Sequence, residues 1–197
     1  MNFRALIPAL VTTVAAVAVV APNAHAASDY FMKVDGITGE SQANGMQGYI
    51  DIDGFSFQAE QLGTAVTGGG MGAGKAQFDG LEVTKPVDAA TPQLFQRLGA
   101  GTHLASVEVV SRSTATAPYV RYCFQNALIT SQKQEGASGD NVHETLKFSV
   151  LAAGQQFTRQ NPDGTLGNSV FGGWDLKTNM ALTIDKQPSP GCSRAAR

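Results

Sequence analysis

Apolar side chains alternating every second residue, in several short segments, constrain this chain most. Val107 and Val109 flank Glu108 between Leu104 and Ser113. Val120, Tyr122 and Phe124 share one face of Tyr119–Ser131, and Leu146, Phe148 and Val150 share one face of Glu144–Ala153. Successive side chains of a strand point to opposite faces, so this period of two buries one face of a sheet. A surface helix would need spacings of three and four. Charged residues are only 15% of the chain and Gly reaches 22, a balance that favours strands joined by turns over long helices.

Further strands follow by the same logic. Asp29–Val34 is ended by Asp35-Gly36, and Lys75–Lys85 carries Leu81 and Val83 on one face. In Tyr49–Glu60 the apolar phase shifts from Ile50 and Ile52 to Phe55 and Phe57. Gly54 sits at the shift, which predicts either a bulge or burial on both faces, one in the core and one in an interface. Gly39–Gly48, Gly63–Gly74 and Gln134–Asp140 read as loops, Asn161-Pro162-Asp163-Gly164 as a turn, and Ala181–Ile184 as a final strand. One helix is expected, with Thr91 as N-cap, Pro92 at its first position, Gly99 as its stop and Leu94, Phe95 and Leu98 as its apolar stripe.

The N-terminus reads as an export signal. Arg4 precedes an uncharged run from Ala5 to Ala21, and Ala24-His25-Ala26 supplies the small residues of a cleavage site after Ala26. The competing reading is a membrane anchor, but Pro8, Thr12 and Thr13 interrupt the run and no basic stop-transfer cluster follows. Without residues 1–26, 171 of the 197 remain, enough for one core: a domain over 27–187 and a tail over 188–197. Losing Arg4 leaves 13 basic and 16 acidic residues, a net charge of −3. That balance argues against nucleic acid and against an anionic membrane as partners.

An exported chain with two cysteines, Cys123 and Cys192, invites a disulfide that ties the C-terminal tail to a central strand. Closing so long a loop contributes roughly 4 kcal/mol in the chain-entropy account. The alternative is two free thiols, with Cys123 as a small buried apolar residue.

No catalytic set is legible. Gly69–Lys75 spells the start of a phosphate loop, but Ala76 stands where a hydroxyl is needed and a strand follows instead of a helix. His103 and His143 have no second histidine near them in sequence, and there is no G-x-S-x-G elbow. The pairs Asp51/Asp53 and Asp140/Glu144 read as solvated carboxylates, and Trp174 reads as core. No cofactor, no metal and no enzymatic activity are expected.

Three stretches together resemble one family. Asp29–Ser41 resembles the opening of the Hcp proteins, the tube proteins of type VI secretion. Lys85–Leu94 resembles their strand-to-helix junction, and Tyr122–Asp140 their late strand and following loop; Phe171-Gly172-Gly173-Trp174-Asp175 is similar to a tail found in some members. The resemblance implies a mainly β fold, a small β-barrel of two packed sheets with one flanking short α-helix. It further implies homo-hexameric rings that stack into tubes and hold small protein cargo in the lumen, without catalysis. The family's long loop maps to Gly63–Gly74. Gly63, Thr64, Val66 and Thr67 thereby become ring-interface candidates, joined by Phe55 and Phe57 from the phase-shifted strand. A cleavable signal departs from the family pattern, whose members leave through the secretion machine itself. The rival reading is a monomeric extracellular binding module built on the same barrel.

Overall fold

The computed structural model describes residues 28–65, 71–113, 118–161, 163 and 165–182. The expected signal and its Ala26 junction, Val66, Thr67 and Cys192 lie outside them. The strands are β1 (Ser28–Val34), β2 (Ile50–Ile52), β3 (Gly54–Ala65), β4 (Met71–Pro86), β5 (Leu104–Ser113), β6 (Pro118–Glu135), β7 (His143–Ser149), β8 (Ala152–Gln160), β9 (Leu166–Asp175) and β10 (Met180–Ala181). The helix α1 spans Thr91–Ala100, between β4 and β5.

All pairings between these strands are antiparallel. The first sheet runs β10-β9-β8-β6-β5-β1-β2, and the second runs β3-β4-β7-β6. β6 belongs to both. Its first half pairs with β5 and β8, and from Leu128 onward it pairs with β7. Asn126 sits at the change with φ 51°, a left-handed conformation that Asn tolerates better than most residues. Two further corners carry the chain between sheets, Asp53 between β2 and β3, and Val150-Leu151 between β7 and β8.

The inner faces of the two sheets meet in one core. Met32, Ile50, Val83, Val107, Phe124 and Leu146 are each fully buried there. Burying each such side chain contributes about 1.5–3 kcal/mol. The expected two packed sheets with one flanking helix are therefore present. The barrel does not close through its hydrogen bonds, because β2 ends one sheet and β3 ends the other. A single bond from the Asp53 N–H to the Thr84 carbonyl (2.8 Å) spans the corner.

Several local expectations change. The phase shift at Gly54 is a change of partner, from β1 to β4, and not a bulge within one ladder. Ile50, Ile52, Phe55 and Phe57 consequently all pack on the same core. Two register shifts do occur in this hairpin, one at Gln58/Ala59, opposite Gly80, and one at Gln61/Gly63. Gly80 has φ 93°, and a Cβ there would stand 2.5 Å from the Phe148 carbonyl oxygen, so only glycine fits. Gly63–Gly74 is not all loop, since β3 and β4 pair as far as Ala65 and Met71. Glu144–Ala153 is two strands broken at the corner, and residues 171–175, read as a tail, belong to a full strand, β9.

The helix starts where expected but by another device. Thr91 is its first residue and not its N-cap; Ala90 holds that place and makes no side-chain capping bond. Asp88 Oδ1 instead accepts from the N–H groups of Ala90 (3.0 Å) and Thr91 (3.2 Å), which satisfies orphan donors of the first turn. The helix stops at Gly101, two residues past Gly99, with φ 59° in a left-handed C-cap. Leu94 is buried, whereas Phe95, about 100° further round the helix, is 63% exposed.

Beneath this junction lies a buried ion pair. Lys85 Nζ donates to Glu144 Oε1 (2.8 Å), Asp88 Oδ1 (2.7 Å), Thr91 Oγ1 (3.2 Å) and the Pro86 carbonyl (2.7 Å). Glu144 also accepts from Thr91 Oγ1 and Gln132 Nε2. Burial opposes the Glu144 charge, but these hydrogen bonds from Lys85, Gln132 and Thr91 outweigh it and hold the carboxyl below its ordinary value of 4.5. A depressed carboxyl contributes stability at neutral pH that is lost as pH falls below the unfolded value. Glu144→Gln is expected to cost about 3–5 kcal/mol at pH 7, since it leaves Lys85 buried with only Asp88 as a charged partner. Urea midpoints measured from pH 7 to 3 should show a wild-type decline below 4.5 that is shallower in Glu144→Gln.

Candidate assembly surface

Of the ring-contact candidates from sequence, the described ones lie at opposite ends of β3. Gly63 and Thr64 pair with Ala73 and Gly72 near the tip of the β3–β4 hairpin. Phe55 and Phe57 are half-buried on the core side of β3. Phe55 meets the rings of Tyr30 and Tyr122, and Phe57 those of Phe78 and Phe124, all edge-on at 4.9–5.7 Å. Most of their surface is therefore already occupied within the fold.

A different apolar surface stands open. The face of β6 that carries Phe124 and Tyr122 also carries Val120, and the register sets Val120 beside Phe157 and Phe157 beside Val170. This is the core face of the first sheet, continued onto β8 and β9 beyond the reach of the second sheet. Phe157 is 51% exposed and Val170 67% exposed. Between them and the β3–β4 hairpin lies a cleft of ≈ 590 Å³, lined by Phe57, Phe78, Tyr122, Phe157, Val170 and Trp174 among others. Trp174 is half-buried in it, and its Nε1 is buried without a hydrogen-bond partner. Contiguous apolar surface of this kind marks an interaction site.

Sequence reasoning missed this face because β8 and β9 mix Gln, Gly, Ser and Thr with their apolar residues and show little alternation. One signal was present. The turn at 161–164 separates two segments of strand length, which makes them a hairpin, and a hairpin pairs Phe157 with Val170.

The opposite, outer face of the first sheet is partly covered by residues 35–49. Phe31, Met46, Tyr49 and Val110 form a second apolar cluster there. Tyr49 Oη donates to Glu108 Oε2 (2.9 Å), and Arg121 pairs with Glu108 from the neighbouring strand. Burial and the Glu108 carboxylate push the Tyr49 phenol up to about 12. Arg112 stacks 5.0 Å from the Phe31 ring and donates to the Asn44 carbonyl (2.8 Å), which pins the loop.

Of the residues weighed for chemistry, His143 and Asp53 come together, without a third partner for catalysis among the described residues. His143 Nδ1 lies 2.9 Å from Asp53 Oδ2 in an exposed pair, Asp51 is exposed, and Glu144 is committed to Lys85 while Asp140 is exposed. Among the described residues no group of three His, Cys, Asp or Glu could hold a metal ion. Met71–Lys75 lies within strand β4, so no helix opens after the Gly-Lys motif.

A family model described as type VI secretion system effector, Hcp, matches residues 31–153. The chain belongs to the Hcp family. Protein hcp1 of Pseudomonas aeruginosa is 28% identical over 159 residues, covering 78% of this chain and 98% of that protein. A solved structure described as a type six secretion system protein superposes with a TM-score of 0.74 at 27% identity, covering 79% of this chain and 99% of the other. Hcp1 from Salmonella typhimurium does so with a TM-score of 0.68 at 25% identity, covering 79% and 99%. The family match begins at β1 and ends in β8, so this Hcp chain carries the Phe157–Val170 face mostly beyond it.

The two kinds of aromatic surface predict opposite responses. Phe57→Ala, which strips ring contacts with Phe78 and Phe124, is expected to destabilise the isolated subunit by roughly 3 kcal/mol. Val170→Ser, on the open face, should stay within about 0.5 kcal/mol. Urea denaturation at low protein concentration measures both.

Proposed function

We propose that the mature chain is a non-catalytic structural subunit that assembles into homo-hexameric rings, which stack and hold small protein cargo. Family membership supports the ring, and the observation that carries it is the open apolar face of Val120, Phe157 and Val170 above its cleft. A ring forms when one patch of a subunit meets a different patch of its neighbour and the rotation closes. The cleft is one such patch. The β3–β4 hairpin that rims it, with the sequence candidates Gly63 and Thr64 near its end, is the second patch in this reading; Val66 and Thr67 are its candidates from sequence alone.

Residues 1–26 act as the export signal, cut after Ala26, so this Hcp chain reaches an oxidising compartment by the general route. Cys123 and Cys192 pair there; among the described residues no cysteine is free, which supports the bridge. The rival reading, a monomeric binding module, draws on the same cleft and on the unpartnered Trp174 Nε1.

Light scattering on the exported protein separates the two. The ring predicts six times the subunit mass, and Phe157→Asp with Val170→Asp should reduce it to one subunit by placing charges in the contact. A wild-type protein that stays monomeric at high concentration overturns the ring and leaves the binding module.

A further inference from the structure

The loop of residues 35–49 that lies on the outer face of the first sheet turns tightly at its middle. The Met46 N–H donates to the Ala43 carbonyl (2.9 Å), which closes a β-turn with Asn44 and Gly45 at its centre. Gly45 has φ 77°, as the third residue of a type II turn requires. Both central residues are exposed, and nothing lies within 4 Å of where a Cβ on Gly45 would stand. Of the asparagines in the chain, Asn44 alone precedes a glycine. Among the described residues, neither its carboxamide nor the Gly45 N–H has a hydrogen-bond partner.

The carbonyl between these two residues is held by a cation. Arg112 Nη1 donates to the Asn44 carbonyl oxygen (2.8 Å). The guanidinium side chain is 7% exposed and lies 5.0 Å from the Phe31 ring, with the exposed Asp29 carboxylate 3.2 Å from Nη2. It cannot be deprotonated in a protein, so its charge is constant. A peptide nitrogen becomes a nucleophile when it loses its proton, and the charge then spreads to the carbonyl oxygen conjugated with it. For the Gly45 nitrogen, that oxygen is the one Arg112 holds. A fixed donor placed where negative charge develops, with little water around it, is the arrangement that stabilises an oxyanion. The nitrogen itself is unhindered, because residue 45 carries no side chain.

We propose that the Asn44–Gly45 turn is a self-modification site, at which Arg112 promotes conversion of Asn44 to isoaspartate. The Gly45 nitrogen loses its proton to solvent and bonds to Asn44 Cγ. The Cγ–Nδ2 bond breaks, and the amine takes a proton from solvent and leaves as ammonia. Water then opens the cyclic imide, adding hydroxyl to one carbonyl carbon and returning a proton to the nitrogen. Opening at Cγ gives aspartate, and opening at the backbone carbonyl gives isoaspartate. Arg112 polarises the backbone carbonyl, so it directs opening there. The new carboxylate carries the oxygen that Arg112 already holds, and an ion pair replaces a neutral acceptor. The covering loop is thereby tied more firmly to β5 as the protein ages. This is independent of the ring and of the export signal.

Incubation of the full exported protein at neutral pH tests this. Conversion is read as the amide-to-acid mass shift of the tryptic peptide that follows Lys33 and ends at Lys75. Isoaspartate is read with a protein isoaspartyl methyltransferase, as the label that Asn44→Gln lacks, since Asp35-Gly36 and Asp53-Gly54 share that peptide. The folded wild type should convert at least about ten-fold faster than the same chain in urea and than Arg112→Met, a part of what one oxyanion donor contributes. Arg112→Met should also lower the isoaspartate share of the product, because nothing then polarises the backbone carbonyl. A folded wild type that converts no faster than the chain in urea overturns the proposal. So does an Arg112→Met protein that matches the wild type in rate and product. The urea comparison decides the matter even where Arg112→Met does not fold.

Discussion

At Asn126 the longest strand of the molecule changes partners. Before it, β6 lies between β5 and β8; after it, β6 pairs with β7. The strand runs for eighteen residues, and a left-handed Asn turns it without ending it. Both sheets hang from this strand, so their inner faces oppose one another and bury Phe124 between them. The corners at Asp53 and Val150-Leu151 repeat the device with shorter segments. A two-sheet barrel results, with one helix among the described residues.

The Lys85–Glu144 pair sits where this architecture is under most demand, at the passage from β4 into α1. Two charges without water are costly unless every donor and acceptor is met. Here the ammonium has four oxygen partners, and the carboxylate draws on four side chains from β4, α1 and β6. The network ties the first turn of the helix to β4 and β7 through Thr91. On the outer face, Glu108 does a similar task at lower cost, held between Tyr49 and Arg121.

Legibility followed the physics of each element. β5 was readable to the residue, since Val107 and Val109 alternate against Glu108 and one face is fully buried. Glu108 itself read as solvent-facing and is buried, because a loop distant in sequence folds over it. Phe95 read as core by its place in an apolar cluster, but the helix touches the sheet along too narrow a stripe to cover it. β8 and β9 were hidden, since one of their faces is open and the other mixes Gly154 and Gly173 with Gln156, Thr158 and Ser169, and neither imposes alternation. Of the candidate surface, Phe57 was named from sequence, while Phe157 and Val170 emerged only from register.

By itself the sequence determined the strand-rich class, the single helix, the family and the absence of a legible catalytic motif. Those depend on local periodicity, turn chemistry and residue type, which each segment carries alone. Tertiary structure decided where β6 divides between sheets, which carboxylates are buried, and that the core face of Val120 continues outward to Phe157 and Val170. Each of these depends on which strand lies beside which, a choice made by packing among residues far apart in the chain.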